Sequence, residues 1–112
     1  MQGAYLIGHV ETKDKKLLKS ASSIRAAICK VCGVMGFRIV GEKCYTFDAP
    51  PGVTYCFILS QSHFIIHTWP EESKIFFDLF TCGEEVNAER LIETISKEFK
   101  GKVGKIRRIG YK

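Results

Sequence analysis

Three short apolar runs, Val53 to Leu59, Phe64 to Trp69 and Lys74 to Phe80, follow one another with only brief polar or proline-containing breaks between them. Breaks that short suit antiparallel neighbours, so the middle of the chain is expected to fold as a series of hairpins. Ala4 to Val10 reads as a further strand and Phe37 to Phe47 as another, with Gly41 marking a bulge or turn; the prolines of Asp48 to Gly52 mark a loop. Two amphipathic stretches accompany the strands. From Asp14 to Val34, Leu17, Ala21, Ile24, Ile28 and Val31 step by four and three and paint one helical stripe, which Gly33 and Gly36 end. From Val86 to Lys100, Ala88, Leu91, Ile95 and Phe99 do the same behind Asn87 as N-cap, and Lys102 to Ile109 returns as an edge strand. The order β-α-β-β-β-β-α-β predicts an α+β fold, a two-layer α/β sandwich in which two helices cover one face of an antiparallel sheet.

The other face then needs an explanation. "CFILS" and "KIFFDLF" are apolar at nearly every position, whereas a sheet with one wet face alternates. A second sheet, most simply from a symmetry-related copy in a homodimer, would cover it.

A length of 112 residues predicts one domain spanning 1–112, and 46% hydrophobic with 26% charged residues suits a soluble globule. The longest uncharged stretch, Ala49 to Pro70, is interrupted by prolines, histidines and polar residues, so neither a membrane span nor a signal peptide is expected. Five cysteines, an odd count scattered through apolar segments, read as reduced thiols in a cytoplasmic protein. Cys29 and Cys32 form a CxxC, but it falls late in a helix with no leading strand and no second pair, which favours packing over redox chemistry. The formal charge of +5 gathers in Lys13, Lys15, Lys16 and Lys19 and in the tail. It reads as a solubility feature and not a nucleic-acid surface, because only Phe99 and Tyr111 are interleaved with the tail's basic residues.

One stretch resists a purely structural reading. "SQSHFIIHTWPE", Ser60 to Glu71, puts serines, two histidines and the only tryptophan into a strand-like run, and polar groups buried there would need partners. Strand alternation places Ile65, His67 and Trp69 on one face and Phe64, Ile66 and Thr68 on the other. A lone histidine among apolar neighbours is ordinarily a satisfied core residue. His67, however, has Ser62, His63, Glu71 and Cys82 near in sequence or on an adjacent strand, and a Ser-His-Cys grouping points to chemistry. A Ser-His-Asp arrangement would use Asp78 to orient His67, although no GxSxG is present. His63 and His67 lie about 13 Å apart on a strand, too far to share an ion, so no metal site is expected.

"SQSHFIIHTWPE" followed by "FFDLFTCGEEV" resembles the prokaryotic S-adenosylmethionine decarboxylases, self-processing enzymes whose motif runs Ser-His, His-Thr-Trp-Pro-Glu and Phe-Thr-Cys-Gly. The likeness is strong over Gly52 to Val86, where Ser62 and Cys82 stand twenty positions apart. The resemblance implies cleavage between Gln61 and Ser62: the serine hydroxyl attacks the carbonyl of Gln61, an ester forms, and elimination leaves a pyruvoyl group at position 62 as the cofactor. It implies that His67 moves the processing proton, that Thr54 stands where the family usually has an assisting serine, and that Cys82 returns a proton to the substrate carbon. Glu71 would hold the ribose hydroxyls, with Phe47 and Trp69 as substrate contacts. A homodimer of αββα architecture, S-adenosylmethionine as substrate, and supply of the aminopropyl donor for spermidine synthesis complete what it implies.

Three departures accompany the likeness. The residue before the serine is Gln61 where glutamate is usual; the attacked atom is its main-chain carbonyl, so the side chain is not chemically obligatory. The family's stacking phenylalanine lies six positions before Thr54, a slot held by Asp48, with Phe47 one step back. Strand parity also sets Ser62 and His67 on opposite faces, which calls for a turn near Ser62 and His63. A pyruvoyl-dependent arginine or ornithine decarboxylase, or an unprocessed homologue that regulates a partner, are the competing readings.

Overall fold

The computed structural model describes residues 2–82 and 86–111. Its strands are β1 (Gly3–Glu11), β2 (Ile39–Asp48), β3 (Pro51–Leu59), β4 (Ser62–Trp69), β5 (Lys74–Cys82), β6 (Lys102–Val103) and β7 (Arg107–Tyr111); its helices are α1 (Lys15–Lys19), α2 (Ala21–Met35) and α3 (Ala88–Glu98). A 3-10 turn, Pro70–Glu72, joins β4 to β5. The strands form one antiparallel sheet in the order β2-β3-β4-β5-β1, with β6 and β7 both pairing the outer edge of β1. The three apolar runs are consecutive antiparallel strands as expected, and Gly41 falls at a register shift in β2 that marks a bulge.

The expected pair of helices is corrected to three. The stripe from Leu17 to Val31 continues across a break at Ser20, whose extended backbone ends α1 and whose side chain accepts the amide of Ser23 to cap α2. Gly33 lies inside α2, and the helix ends at Gly36, whose φ of 77° favours a residue without a Cβ. Asn87 caps α3 as expected, accepting the amide of Arg90. The single edge strand over Lys102 to Ile109 is two strands, separated where the amide of Gly104 donates to the carbonyl of His9, 2.8 Å away. The proline loop tightens to a turn over Ala49 and Pro50, with Asp48 paired to Pro51.

The helices pack on one face, and the core alternates along each strand. Val53, Tyr55, Phe57 and Leu59 of β3, Phe64 and Ile66 of β4, and Ile75, Phe77 and Leu79 of β5 are buried against Leu18, Ile24, Ile28, Val31, Leu91, Ile95 and Phe99. Thr68, also buried, ties three segments: its hydroxyl donates to the carbonyl of Leu18 at 2.7 Å and accepts the amide of Val53 at 2.9 Å. Arg25 on α2 grips Glu42 on β2 with two bonds of 2.6 and 3.1 Å, and Tyr55 donates to the same carboxylate at 2.6 Å. Arg25 first and Tyr55 second hold the Glu42 carboxyl below its ordinary range, while burial and then the hydrogen bond to Glu42 push Tyr55 up to about 12. Burial likewise lifts Cys32 to about 12, so half of the CxxC is an inert packing residue.

Among the described residues the opposite sheet face carries no helix. Tyr5, Ile7, Tyr45, Phe47, Thr54, Ile58, His63, His67, Trp69, Asp78, Phe80 and Cys82 project there by strand alternation and pairing register. Tyr45, Phe47, Ile58 and Trp69 are exposed.

Candidate active site

β3 and β4 are joined by two residues, Ser60 and Gln61, with Leu59 paired to Ser62 across the turn. Two-residue hairpins favour turns with positive φ at the first or at both positions. Here only the second has it, Gln61 at φ 60°. A left-handed backbone at a residue with a Cβ costs about 1–2 kcal/mol, so the peptide expected to be cut sits at a tense corner of the sheet. The Ser62 hydroxyl oxygen accepts the amide of Cys82 at 3.1 Å, which fixes the serine against the last residue of β5. Both residues, with Thr81, Arg38 and Arg90, line a cleft of about 500 Å³.

The second group lies at the far end of the same strands. Thr54 and His67 are cross-strand partners, with Oγ1 and Nδ1 2.9 Å apart. Past them Phe47, Trp69 and Glu71 line a cleft of about 400 Å³ beside the proline turn. Phe47 therefore does reach the neighbourhood of Glu71, although it is one position out of register with the family's phenylalanine. Gly52 permits this corner: a Cβ there would stand 2.7 Å from the carbonyl oxygen of Thr68. Pro70 opens the 3-10 turn that carries Glu71. The Trp69 ring lies 4.8 Å from that of Phe76.

Two sequence expectations are corrected. No turn follows Ser62. β4 runs unbroken from Ser62 to Trp69, and the turn precedes it at Ser60 and Gln61. Ser62 consequently shares the helix-covered parity of Phe64, and His67 lies five residues away on the other face, about 16 Å along the strand. Asp78 does not orient His67 either. It pairs with His63, whose Nε2 donates to Oδ1 at 2.8 Å, and Thr54 is the partner of His67. The chain thus presents two half-sites, Ser62 with Cys82 and His67 with Thr54, Phe47, Trp69 and Glu71. The sequence reading missed the bond between the Cys82 amide and Ser62, for which main-chain donors leave no residue-type signal. Gly83, last residue of the Phe-Thr-Cys-Gly motif, lies outside the described residues.

Comparisons with known proteins bear on the family and the fold. The family profile for S-adenosylmethionine decarboxylase matches residues 5–110. The S-adenosylmethionine decarboxylase proenzyme of Thermotoga petrophila is 34% identical over 100 residues, covering 89% of this chain and 76% of the relative. That of Methanococcus aeolicus is 34% identical over 93 residues, covering 83% and 79%. The crystal structure of the adenosylmethionine decarboxylase from Aquifex aeolicus superposes with a TM-score of 0.79 over 97% of this chain and 88% of that one; at 24% identity it attests the fold. Among the described residues no helix is long and apolar enough to cross a membrane. With the profile spanning nearly the whole chain, the protein belongs to the S-adenosylmethionine decarboxylase family.

Proposed function

We propose that the chain is a proenzyme that cuts itself between Gln61 and Ser62 and, as a cytoplasmic homodimer, decarboxylates S-adenosylmethionine, yielding the aminopropyl donor for spermidine synthesis. The observation that carries the reading is Ser62 itself, held by the Cys82 amide directly after a left-handed residue. Attack of its hydroxyl oxygen on the Gln61 carbonyl carbon forms a C–O bond and breaks the C–N bond, and the hydroxyl proton passes to the freed nitrogen. The shift also frees Gln61 from the turn geometry that strains it. Loss of the Cα proton then breaks the Cβ–O bond and releases Gln61 as a carboxylate. Water uptake and loss of ammonia leave a keto group at position 62.

The residues around position 62 suit such a group: a main-chain donor from Cys82, a thiol on the neighbouring strand and a cleft for substrate. When formed, it supplies an electron sink for the carbanion that decarboxylation creates. The Cys82 thiol, a proton donor on the strand next to position 62, is suited to return the proton to that carbon. Glu71 accepts the ribose hydroxyls, and Phe47 and Trp69 flank the adenine. His67, with Thr54 as its hydrogen-bond partner, moves the processing proton.

The separation of about 16 Å between Ser62 and His67 excludes their meeting within one chain while β4 stays intact. Ser62 lies at the end of β4, beside the β3–β4 turn, so a second copy stacked on the open face would have to reach it with its His67 half-site at that sheet end. The exposed Ile58, Tyr45 and Trp69 on that face support a partner of the same kind, giving the αββα stack.

The fragment pattern tests the reading. Mature protein should resolve on a denaturing gel into residues 1–61 and a blocked piece of 62–112, and should release carbon dioxide from carboxyl-labelled S-adenosylmethionine. Ser62→Ala should abolish both. Release only from arginine or ornithine would favour the other decarboxylases, and a chain that stays whole would favour a non-catalytic partner. Co-expressing Ser62→Ala with His67→Ala chains tests the shared site: cutting of the His67→Ala chain should return in mixed dimers and remain absent in either variant alone.

A further inference from the structure

His63 has no part in the chemistry above, yet its side chain has a defined partner next to residue 62. Nε2 donates to Asp78 Oδ1 at 2.8 Å, and the ring packs with its centroid 5.8 Å from that of Tyr5 and 5.9 Å from that of Phe80. We propose that the His63–Asp78 pair is a positioning device: after the chain is cut, it holds the new N-terminal residue 62 beside Cys82. The inference rests on the self-cleavage reading and adds to it a role for two side chains.

The need for such a device follows from the register. Before cutting, Ser62 is tethered through Gln61 to the turn and paired with Leu59. Cutting removes the tether and makes residue 62 a chain end. The pairing of β4 with β5 begins at His63, opposite Phe80, so residue 62 lies one position beyond that ladder. Strand ends fray unless something ties them down, and a reacting group displaced by 1 Å loses about 100-fold in rate. Asp78 stands directly opposite Ile65, diagonal to His63, so the bond runs toward the cut end and braces the strand along its length. Side-chain exposures of 33% and 34% make the pair a weak contributor to overall stability. That separates a positioning role from a folding one.

The test compares cutting with turnover in Asp78→Asn, Asp78→Ala and His63→Gln. All three should cut at close to the native rate, because the turn still presents Ser62. Once cut, Asp78→Ala should lose about 100-fold in kcat with KM little changed, and Asp78→Asn, which keeps an acceptor oxygen, should lose about 10-fold. Hydrogen exchange of the peptide beginning at residue 62 should quicken in cut Asp78→Ala, with the 51–59 strand unchanged. Variants that cut and turn over like the native chain overturn the proposal. So does a parallel loss of cutting, turnover and thermal stability, the mark of a merely structural pair. A native chain that never cuts overturns the self-cleavage reading itself, and the pair's role with it.

Discussion

The two faces of the sheet are built from alternate residues of the same strands, yet they are spent differently. On the helix-covered face Phe57 and Phe64 are fully buried, and the one buried polar side chain of β4, Thr68, has both its partners. On the open face, one residue along, lie Ile58, more than half exposed, His63, His67 and Cys82. Folding energy therefore comes almost wholly from one side, which leaves the other side free to carry titratable groups and to meet a second copy. Ser62 is the exception, since its parity puts it on the folding side while the chemistry assigned to it needs residues from the other.

Substitutions on neighbouring positions can break or sharpen this division. Phe57→Ala should cost about 3–5 kcal/mol in chemical denaturation, whereas Ile58→Ala beside it should cost about 0.5 kcal/mol and instead raise the dimer dissociation constant by sedimentation. Equal losses at both positions would mean that the open face also carries the fold. Cys82→Ala should still cut itself while turnover falls about 100-fold; near-normal turnover would remove the thiol from proton return. Thr68→Val, which strands the Val53 amide and the Leu18 carbonyl, should cost about 1–3 kcal/mol with cutting preserved. The smallest effect is expected from Glu42. Its folded carboxyl titrates below its unfolded one, so its contribution is complete above the ordinary carboxylate range and fades as pH falls through the depressed value. Melting curves of native protein and Glu42→Gln should therefore differ at neutral pH and converge in acid.

Much of this division was legible in the sequence. Alternation along Phe64 to Trp69 assigned every side chain to its observed face. Other features were hidden for physical reasons. The break at Ser20 escaped notice because Leu17 and Ala21 keep helical spacing across it, and a cap is written in hydrogen bonds and not in hydropathy. Asp78 opposes Ile65 and so sits diagonally between His63 and His67; parity leaves the two equivalent, and only the folded register chooses. The distance from Ser62 to His67 could be read from strand rise alone, once it is known that no turn falls between them.

The two-residue turn at Ser60 and Gln61 has a consequence for the life history of the molecule. The proposed cut at that corner would sever a two-residue link while the pairing of β3 with β4 remains, so the halves would stay interleaved as neighbours. Assembly is an intramolecular event for the precursor and a bimolecular one for the finished enzyme. Unfolding after maturation would set two peptides adrift at cellular dilution, and each polypeptide has in effect a single opportunity to fold.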